Sequence, residues 1–87
     1  MIRFDVHVTA AGGLHARPAA LLVNKAGQFQ SKVTVIKDQK KADGKSILGI
    51  MTLGASLGDR LTFEIEGADE EQAAAALKEL FDKQFES

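Results

Sequence analysis

The sequence predicts a fold of the α+β class, in which one β-sheet is covered by helices on a single face. Every stretch with the two-residue period of a strand has only one apolar face, so only one face of the sheet can be buried. The elements follow the order β-α-β-β-α-β-α, and 87 residues leave room for one hydrophobic core. We therefore expect one domain over residues 1–87, with an antiparallel or mixed sheet whose polar face lies in water.

Four strands are predicted where apolar and polar residues alternate. The first covers residues 2–9 and the last covers residues 60–66. Two shorter strands, over residues 32–37 and 40–43, are joined by the Asp-Gln pair at residues 38–39. The aspartate suits a two-residue turn, whereas the glutamine stands where glycine is the easier choice.

Three helices are predicted between and after these strands. The first runs from residue 16 to about residue 29, with Pro18 in its first turn and Gly27 as a stop signal. The second is a short helix over residues 46–53. The third follows Asp69, which we expect to cap it, and its acidic first turn matches the helix dipole.

The composition excludes several classes of site. There are no cysteines, so disulfides, thiolate metal sites and cysteine catalysis are excluded, and two histidines are too few for a metal site built from histidine alone. The sequence therefore predicts no metal. No apolar run approaches the length of a membrane span, and no signal peptide is recognisable. Around the hairpin, Lys37, Lys40 and Lys41 are expected to form a solvated turn, and a minor role in docking is the alternative.

The first candidate for chemistry is His15, which lies between a glycine pair, Gly12 and Gly13, and the start of the first helix. The free backbone N–H groups of Ala16 and Arg17 and the helix dipole favour an anion there, and the Arg17 guanidinium suits phosphate oxygens. A neutral imidazole is a nucleophile near pH 7, so this arrangement fits covalent phosphoryl transfer. A lone histidine is also common as a surface or capping residue, and the spacing alone leaves that alternative open.

The second candidate is Ser46 with the short helix that follows it. Serine is a preferred helix cap, and that role competes with a regulatory one. The apolar residues of this helix occupy nearly every angular position over two turns, and a two-turn helix on a one-sided sheet cannot bury them all. We therefore expect a patch for partners rather than a helix deep in the core. These apolar residues are Ile47, Leu48, Ile50, Met51 and Leu53.

Two segments carry a resemblance to a known family. Residues 14–20, which read LHARPAA, and residues 45–53, which read KSILGIMTL, resemble HPr, the histidine-containing phosphocarrier family of the bacterial phosphoenolpyruvate:sugar phosphotransferase system. The resemblance extends over essentially the whole chain. It implies an open-faced β-sandwich with a four-stranded antiparallel sheet and three helices on one face. It also implies that His15 accepts a phosphoryl group from enzyme I on Nδ1, with Arg17 stabilising the phosphate.

The resemblance also implies the role and the partners. The chain would be a phosphocarrier rather than an enzyme, would need no cofactor, and would work in the cytoplasm. A monomer is the default expectation, and the apolar patch leaves weak self-association as the alternative. It would pass the phosphoryl group to sugar-specific IIA components, and would meet membrane transporters only through them. The positions that match the docking surface of the family are Ala20, Asn24, Ile47, Leu48, Gly49, Met51 and Thr52.

The same resemblance implies a regulatory role for Ser46. In the low-GC Gram-positive branch this serine is phosphorylated by HPr kinase/phosphorylase, and the product acts with the catabolite control protein. Gly49 and the Ile47-Leu48 pair resemble that branch rather than the enteric one, which has a lysine at position 49.

The sequence shows one departure from the family pattern, one feature that separates carriers from regulatory homologues, and one rival interpretation. Gly12 stands where the family usually has a polar residue, so the phosphate cradle would depend more on backbone N–H groups. Regulatory homologues of the family lack the active-site histidine, and the presence of His15 favours the carrier. An RNA-binding sheet domain would need aromatic residues on the open face of the sheet. No such aromatic is predicted there, and we expect no nucleic-acid partner. The predicted open face carries Arg3, Asp5, His7, Thr34, Ile36, Arg60, Thr62, Glu64 and Glu66.

Overall fold

The computed structural model describes residues 1–8, 16–54 and 58–82, apart from the side chains of residues 16–18. Its elements follow the predicted order. Among the described residues, no helix combines the length and the apolar composition that crossing a bilayer requires. The elements are β1 (Ile2–His7), α1 (Ala16–Gly27), β2 (Lys32–Lys37), β3 (Lys40–Asp43), α2 (Ile47–Thr52), β4 (Arg60–Glu66) and α3 (Glu70–Asp82).

The four strands form one antiparallel sheet in the order β1-β4-β2-β3. The last strand in the sequence thus lies inside the sheet, where it pairs with β1 on one side and β2 on the other. In this register Phe63 lies between Phe4 of β1 and Val35 of β2. The sequence had left open whether the sheet is antiparallel or mixed, and the structure confirms the antiparallel arrangement.

The core lies between one face of the sheet and the three helices. Phe63 is fully buried at its centre: its ring stacks on Phe4 at 5.2 Å between centroids and meets Phe81 of α3 edge-on at 5.6 Å. The Lys78 ammonium lies 4.9 Å from the Phe4 ring centroid and covers that pair from α3. The other residues of this core include Ala19, Leu22, Ala26, Val33, Val35, Ile50, Leu53, Leu61, Ile65, Ala73, Leu77 and Leu80.

The β2–β3 hairpin closes as the sequence predicts. Lys37 and Lys40 form its last pair, and Asp38 has a φ of 56°, in the left-handed region. Aspartate enters that region at a lower cost than most residues with a side chain. The Asp-Gln pair therefore forms a two-residue turn even though it lacks a glycine.

Asp69 occupies the expected cap position of α3, where its carbonyl accepts the Ala73 N–H at 2.9 Å, but its carboxylate connects two segments of the chain. One carboxylate oxygen accepts the Gln30 N–H at 2.8 Å, and the other accepts the Ser31 N–H at 2.9 Å and the Ser31 hydroxyl. Ser31 is buried, and a Cβ at Gly67 would lie 2.5 Å from its hydroxyl oxygen, so the turn before α3 sits directly against it. The Asp69 carboxylate thus joins the α1–β2 loop to the start of α3.

Glu70, the first residue of α3, makes a similar connection to the N-terminus of the chain. One of its oxygens pairs with the Met1 amine at 3.0 Å, and the other accepts the Gly67 N–H at 3.2 Å. These contacts hold the pKa of the Glu70 carboxyl below its usual value, the amine contributing most. The start of β1 is in this way tied to the start of α3.

The Asp69 bridge predicts a pH-dependent contribution to stability. The Ser31 hydroxyl, followed by the Gln30 N–H, lowers the pKa of the Asp69 carboxyl. A carboxyl with a lowered folded-state pKa stabilises the fold above its unfolded value, about 3.9, and loses that effect as pH falls through the folded value. We expect Asp69→Asn to lower the thermal midpoint by several degrees at pH 7, and the difference from wild type to shrink below about pH 4.

Thermal denaturation between pH 7 and pH 3 measures this effect. Glu71→Gln is the matched control, because it removes an exposed negative charge from the same turn of α3. A difference between Asp69→Asn and wild type that stays constant down to pH 3 would contradict the interpretation.

Candidate functional site

The first helix begins where the sequence places the phosphoryl acceptor. α1 starts at Ala16, the residue that follows His15. The backbone N–H groups of a first helical turn have no acceptor within the helix, and they lie at the positive end of its dipole. The predicted helix start is confirmed. His15 and Gly12 themselves, together with the side chain of Arg17, lie outside the described residues, so their roles stay predictions.

The first helix is anchored by one face and exposes another. Ala19, Leu22 and Ala26 are fully buried against the core. Of the two docking positions predicted on this helix, Ala20 is half-buried and Asn24 is exposed. α1 ends at Gly27, the predicted stop signal, so the helix is shorter than the stretch to residue 29.

Ser46 caps α2, as the sequence predicts. Its backbone is extended, with φ −114° and ψ 115°, and its hydroxyl oxygen accepts the Gly49 N–H at 3.1 Å. The turn before it is also fixed, because the Asp43 carboxylate accepts the Lys45 N–H at 2.9 Å and the Asp43 carbonyl accepts the Ser46 N–H at 3.0 Å. The start of this short helix is therefore well defined.

The apolar residues of α2 divide between the core and the solvent. Ile50 is 0% exposed and Leu53 is 4% exposed, so these two anchor the helix. Ile47, Leu48 and Met51 are 40%, 75% and 42% exposed, and we call these three the α2 patch. The expectation that a two-turn helix cannot hide all its apolar side chains is confirmed. An exposed group of this kind is typical of a surface that binds partners.

The remaining docking positions of α2 lie beside this patch. Gly49 is half-buried, and a Cβ there would lie 3.4 Å from the Ala42 Cβ and from the Ser46 hydroxyl oxygen. Thr52 is exposed, and its hydroxyl donates to the Leu48 carbonyl at 2.6 Å. The structure thus brings Ser46, Gly49, Thr52 and the α2 patch together on one small helix.

Two lysines hold the ends of α2, and the sequence analysis missed both roles. The Lys45 ammonium donates to the Phe29 carbonyl at 2.7 Å, which joins the start of α2 to the segment after α1. The Lys37 ammonium donates to the Leu53 and Gly54 carbonyls at 3.5 and 3.3 Å and pairs with the Asp59 carboxylate at 3.4 Å.

The expectation of a solvated turn is therefore wrong for Lys37. Its side chain is only 23% exposed, whereas Lys40 and Lys41 are exposed as expected. The two-residue period contained the signal, since Lys37 is in phase with the buried Val33 and Val35 and so projects toward the helices.

A comparison with known families decides which family this architecture belongs to. The family model for PTS-HPr, described as the PTS HPr component phosphorylation site, matches residues 2–83. The chain belongs to the HPr family. It is a member of the phosphocarrier family of the phosphotransferase system, and the family is one of carrier proteins rather than enzymes.

Relatives and solved structures agree with this assignment. The chain is 41% identical over 86 residues to the phosphocarrier protein HPr of Treponema pallidum, covering 99% of this chain and 98% of that protein. It is 42% identical over 84 residues to the HPr-like protein Crh of Halalkalibacterium halodurans, covering 97% of this chain and all of the relative.

Among solved structures, HPr-C-His from Thermoanaerobacter tengcongensis superposes with a TM-score of 0.95 at 46% identity, over 98% of this chain and 96% of that one. An HPr dimer from the same organism superposes with a TM-score of 0.80 at 45% identity, over the full length of both chains. The open-faced β-sandwich that the sequence resemblance implied is thereby confirmed.

Proposed function

We propose that this chain is a general phosphocarrier that accepts a phosphoryl group from phospho-enzyme I on His15 and passes it to sugar-specific IIA components. The observation that carries the proposal is the family match over residues 2–83, which is described by a phosphorylation site. Among the two histidines of the chain, only His15 immediately precedes a helix; His7 is exposed on β1, on the open face of the sheet.

The chemistry is a displacement at phosphorus. The Nδ1 lone pair of neutral His15 forms a bond to phosphorus while the bond to the donor breaks, and the donor atom keeps that electron pair. The phosphoryl oxygens carry negative charge throughout, so the first-turn N–H groups of Ala16 and Arg17 and the Arg17 guanidinium would stabilise the transferred group. With glycine at position 12, we assign more of this stabilisation to the backbone than to a side chain at that position.

Docking is assigned to the α2 patch with the neighbouring exposed positions of α1 and α2. Leucine, isoleucine and methionine side chains bury apolar area on binding, and methionine adapts to differently shaped partners. One surface would thus serve enzyme I and the IIA components in turn. The residues of this docking surface are Ala20, Asn24, Ile47, Leu48, Gly49, Met51 and Thr52.

Regulation is assigned to Ser46, as the substrate of an HPr kinase/phosphorylase whose phosphoserine product binds a catabolite control protein. Ser46 caps the helix that carries the α2 patch, so a phosphate there would add a charge of about −1.5 to −2 beside the docking surface. The similarity to the HPr-like protein Crh supports a link to this regulatory branch.

A purely regulatory HPr-like protein is the second candidate, and the 42% identity to Crh favours it. Such a protein would bind a transcription factor and carry no phosphoryl flux. His15 is present here, and we therefore prefer the carrier.

We assign the carrier to the cytoplasm, where its partners work, and to a monomer. Of the two edge strands, β3 is only four residues long and contains Lys40, Lys41 and Asp43, which discourages pairing at that edge. Because a related HPr has been solved as a dimer, sedimentation across a concentration series is the direct measurement of this assignment.

Replacement of His15 tests the phosphoryl acceptor. His15→Ala should remain folded and should lose all acid-labile phosphate after incubation with enzyme I and phosphoenolpyruvate. The matched control is His7→Ala, which removes the other histidine and should keep full labelling. Label that survives in His15→Ala would refute the assignment, and absence of label in the wild type would favour the regulatory candidate.

Leu48 tests the docking surface. Leu48→Asp should leave the thermal midpoint nearly unchanged, because the side chain is 75% exposed, and should weaken binding to enzyme I by about 1–3 kcal/mol. Ala75→Asp is the control, since it adds the same charge at an exposed position of α3. Titration calorimetry measures the affinity. Wild-type affinity combined with a collapsed thermal midpoint would mean that Leu48 is a core residue.

Ser46 tests the regulatory role. Ser46→Asp should slow phosphoryl transfer to His15, because docking must desolvate the added charge or meet like charge on the partner, and its thermal midpoint should be unchanged or raised. Ser46→Ala is the control: it should lose about 0.5–2 kcal/mol of capping stability and still accept phosphate at His15. Equal transfer rates for wild type, Ser46→Asp and the enzymatically phosphorylated protein would leave Ser46 as a cap only.

A further inference from the structure

Lys37 occupies an unusual position for a charged residue in this fold. It is in phase with Val33 and Val35 on the face of β2 that packs against the helices. An apolar side chain would suit that position, yet a lysine stands there with 23% of its side chain exposed. Its ammonium reaches the two carbonyls at the end of α2, Leu53 at 3.5 Å and Gly54 at 3.3 Å.

The short helix α2 depends on such contacts for its orientation. Six residues are far too few for a helix to be stable in isolation. Only Ile50 and Leu53 are buried, and the three residues of the α2 patch contribute little to anchoring because they face solvent. A cation at the carbonyl end of a helix interacts favourably with the last carbonyl groups and with the dipole.

The same ammonium also reaches the end of the sheet. It pairs with the Asp59 carboxylate at 3.4 Å. The Asp59 carbonyl accepts the Val8 N–H at 2.8 Å, and the Gly58 N–H donates to the Val8 carbonyl at 2.8 Å. Val8 is fully buried, and it is the last described residue before residues 9–15. Lys37 thus connects the last turn of α2 to the strand end that continues in sequence toward His15.

We propose that Lys37 is a positioning residue, which holds the α2 patch in its orientation relative to the end of β1 and so determines how tightly phosphoryl-transfer partners dock. The inference rests on the proposed carrier function. In this proposal Lys37 acts through its contacts with Leu53, Gly54 and Asp59, without contact with the phosphoryl group or the partner. Lys37 affects the formation of the complex with enzyme I. Its replacement should therefore change KM rather than the rate of transfer within the bound complex.

The experiment compares three variants as substrates of enzyme I, with phosphoenolpyruvate as donor. Lys37→Met keeps the length of the side chain and removes the charge. Lys37→Arg keeps a cation that can donate to the same carbonyls. Lys41→Met is the matched control, because it removes one charge from the same hairpin at an exposed position on the open face of the sheet. Amide hydrogen exchange of Leu53 and Gly54, whose N–H groups bond to Ile50 and Met51, reports on the helix end directly.

Lys37→Met should raise KM about threefold to tenfold, leave kcat at saturation unchanged and speed exchange at both amides. Lys37→Arg should restore most of the wild-type KM, and Lys41→Met should match the wild type. Wild-type KM or wild-type exchange in Lys37→Met would overturn the inference, and so would an equal effect of Lys41→Met, which would indicate a general charge effect. If the wild type itself accepts no phosphate, the proposed function fails and the docking role of Lys37 falls with it, while the exchange rates still show whether Lys37 holds the helix.

Discussion

The structure depends on the burial of β4 inside the sheet, with Phe63 at the centre of the apolar layer between the sheet and the helices. β4 pairs on both sides, so its three inward side chains, Leu61, Phe63 and Ile65, lie beneath the helices and are fully buried. Phe4 and Phe81 complete the layer from β1 and α3 through ring contacts at 5.2 and 5.6 Å. Because one face of a four-stranded sheet is all that this chain can bury, the helices must share a limited area, and the arrangement of the candidate site follows from that limit.

Of the three helices, the short helix α2 covers the smallest part of the apolar face of the sheet. Two of its side chains, Ile50 and Leu53, reach the core, and three others remain in solvent. The sequence alone predicts this exposure, because the geometric argument needs only the number of apolar residues and the size of the sheet. What it cannot predict is how so short a helix keeps its orientation. In the structure, polar contacts hold both ends of the helix: the Ser46 cap and Lys45 at the start, and Lys37 at the end.

Local patterns predicted more of this molecule than long-range contacts did. The strands, the hairpin and the Ser46 cap depend on neighbouring residues, so periodicity and capping preferences are sufficient to find them. A two-residue period does not determine the order of the strands in the sheet, because the same alternation suits a central or an edge strand. Asp69 shows the same limit, since an acid at a helix start resembles a cap, whereas its carboxylate binds Ser31, 38 residues away in the sequence. For Lys37, the two-residue period indicated the helix-facing side of the sheet, but the charge of the side chain favoured a position in solvent.

A small patch on a firmly held helix suits a carrier better than a large interface does. The proposed docking surface contains only three exposed large apolar side chains, and interfaces of low area are typical of transient encounters. A phosphocarrier must leave one partner before it meets the next, so rapid dissociation is as necessary as recognition. Affinity among related complexes varies mainly through the dissociation rate, and a surface with few contacts keeps that rate high. The orientation of the α2 patch must then supply the accuracy of docking that contact area does not. The polar contacts at the two ends of α2 meet that requirement without adding any area to the interface.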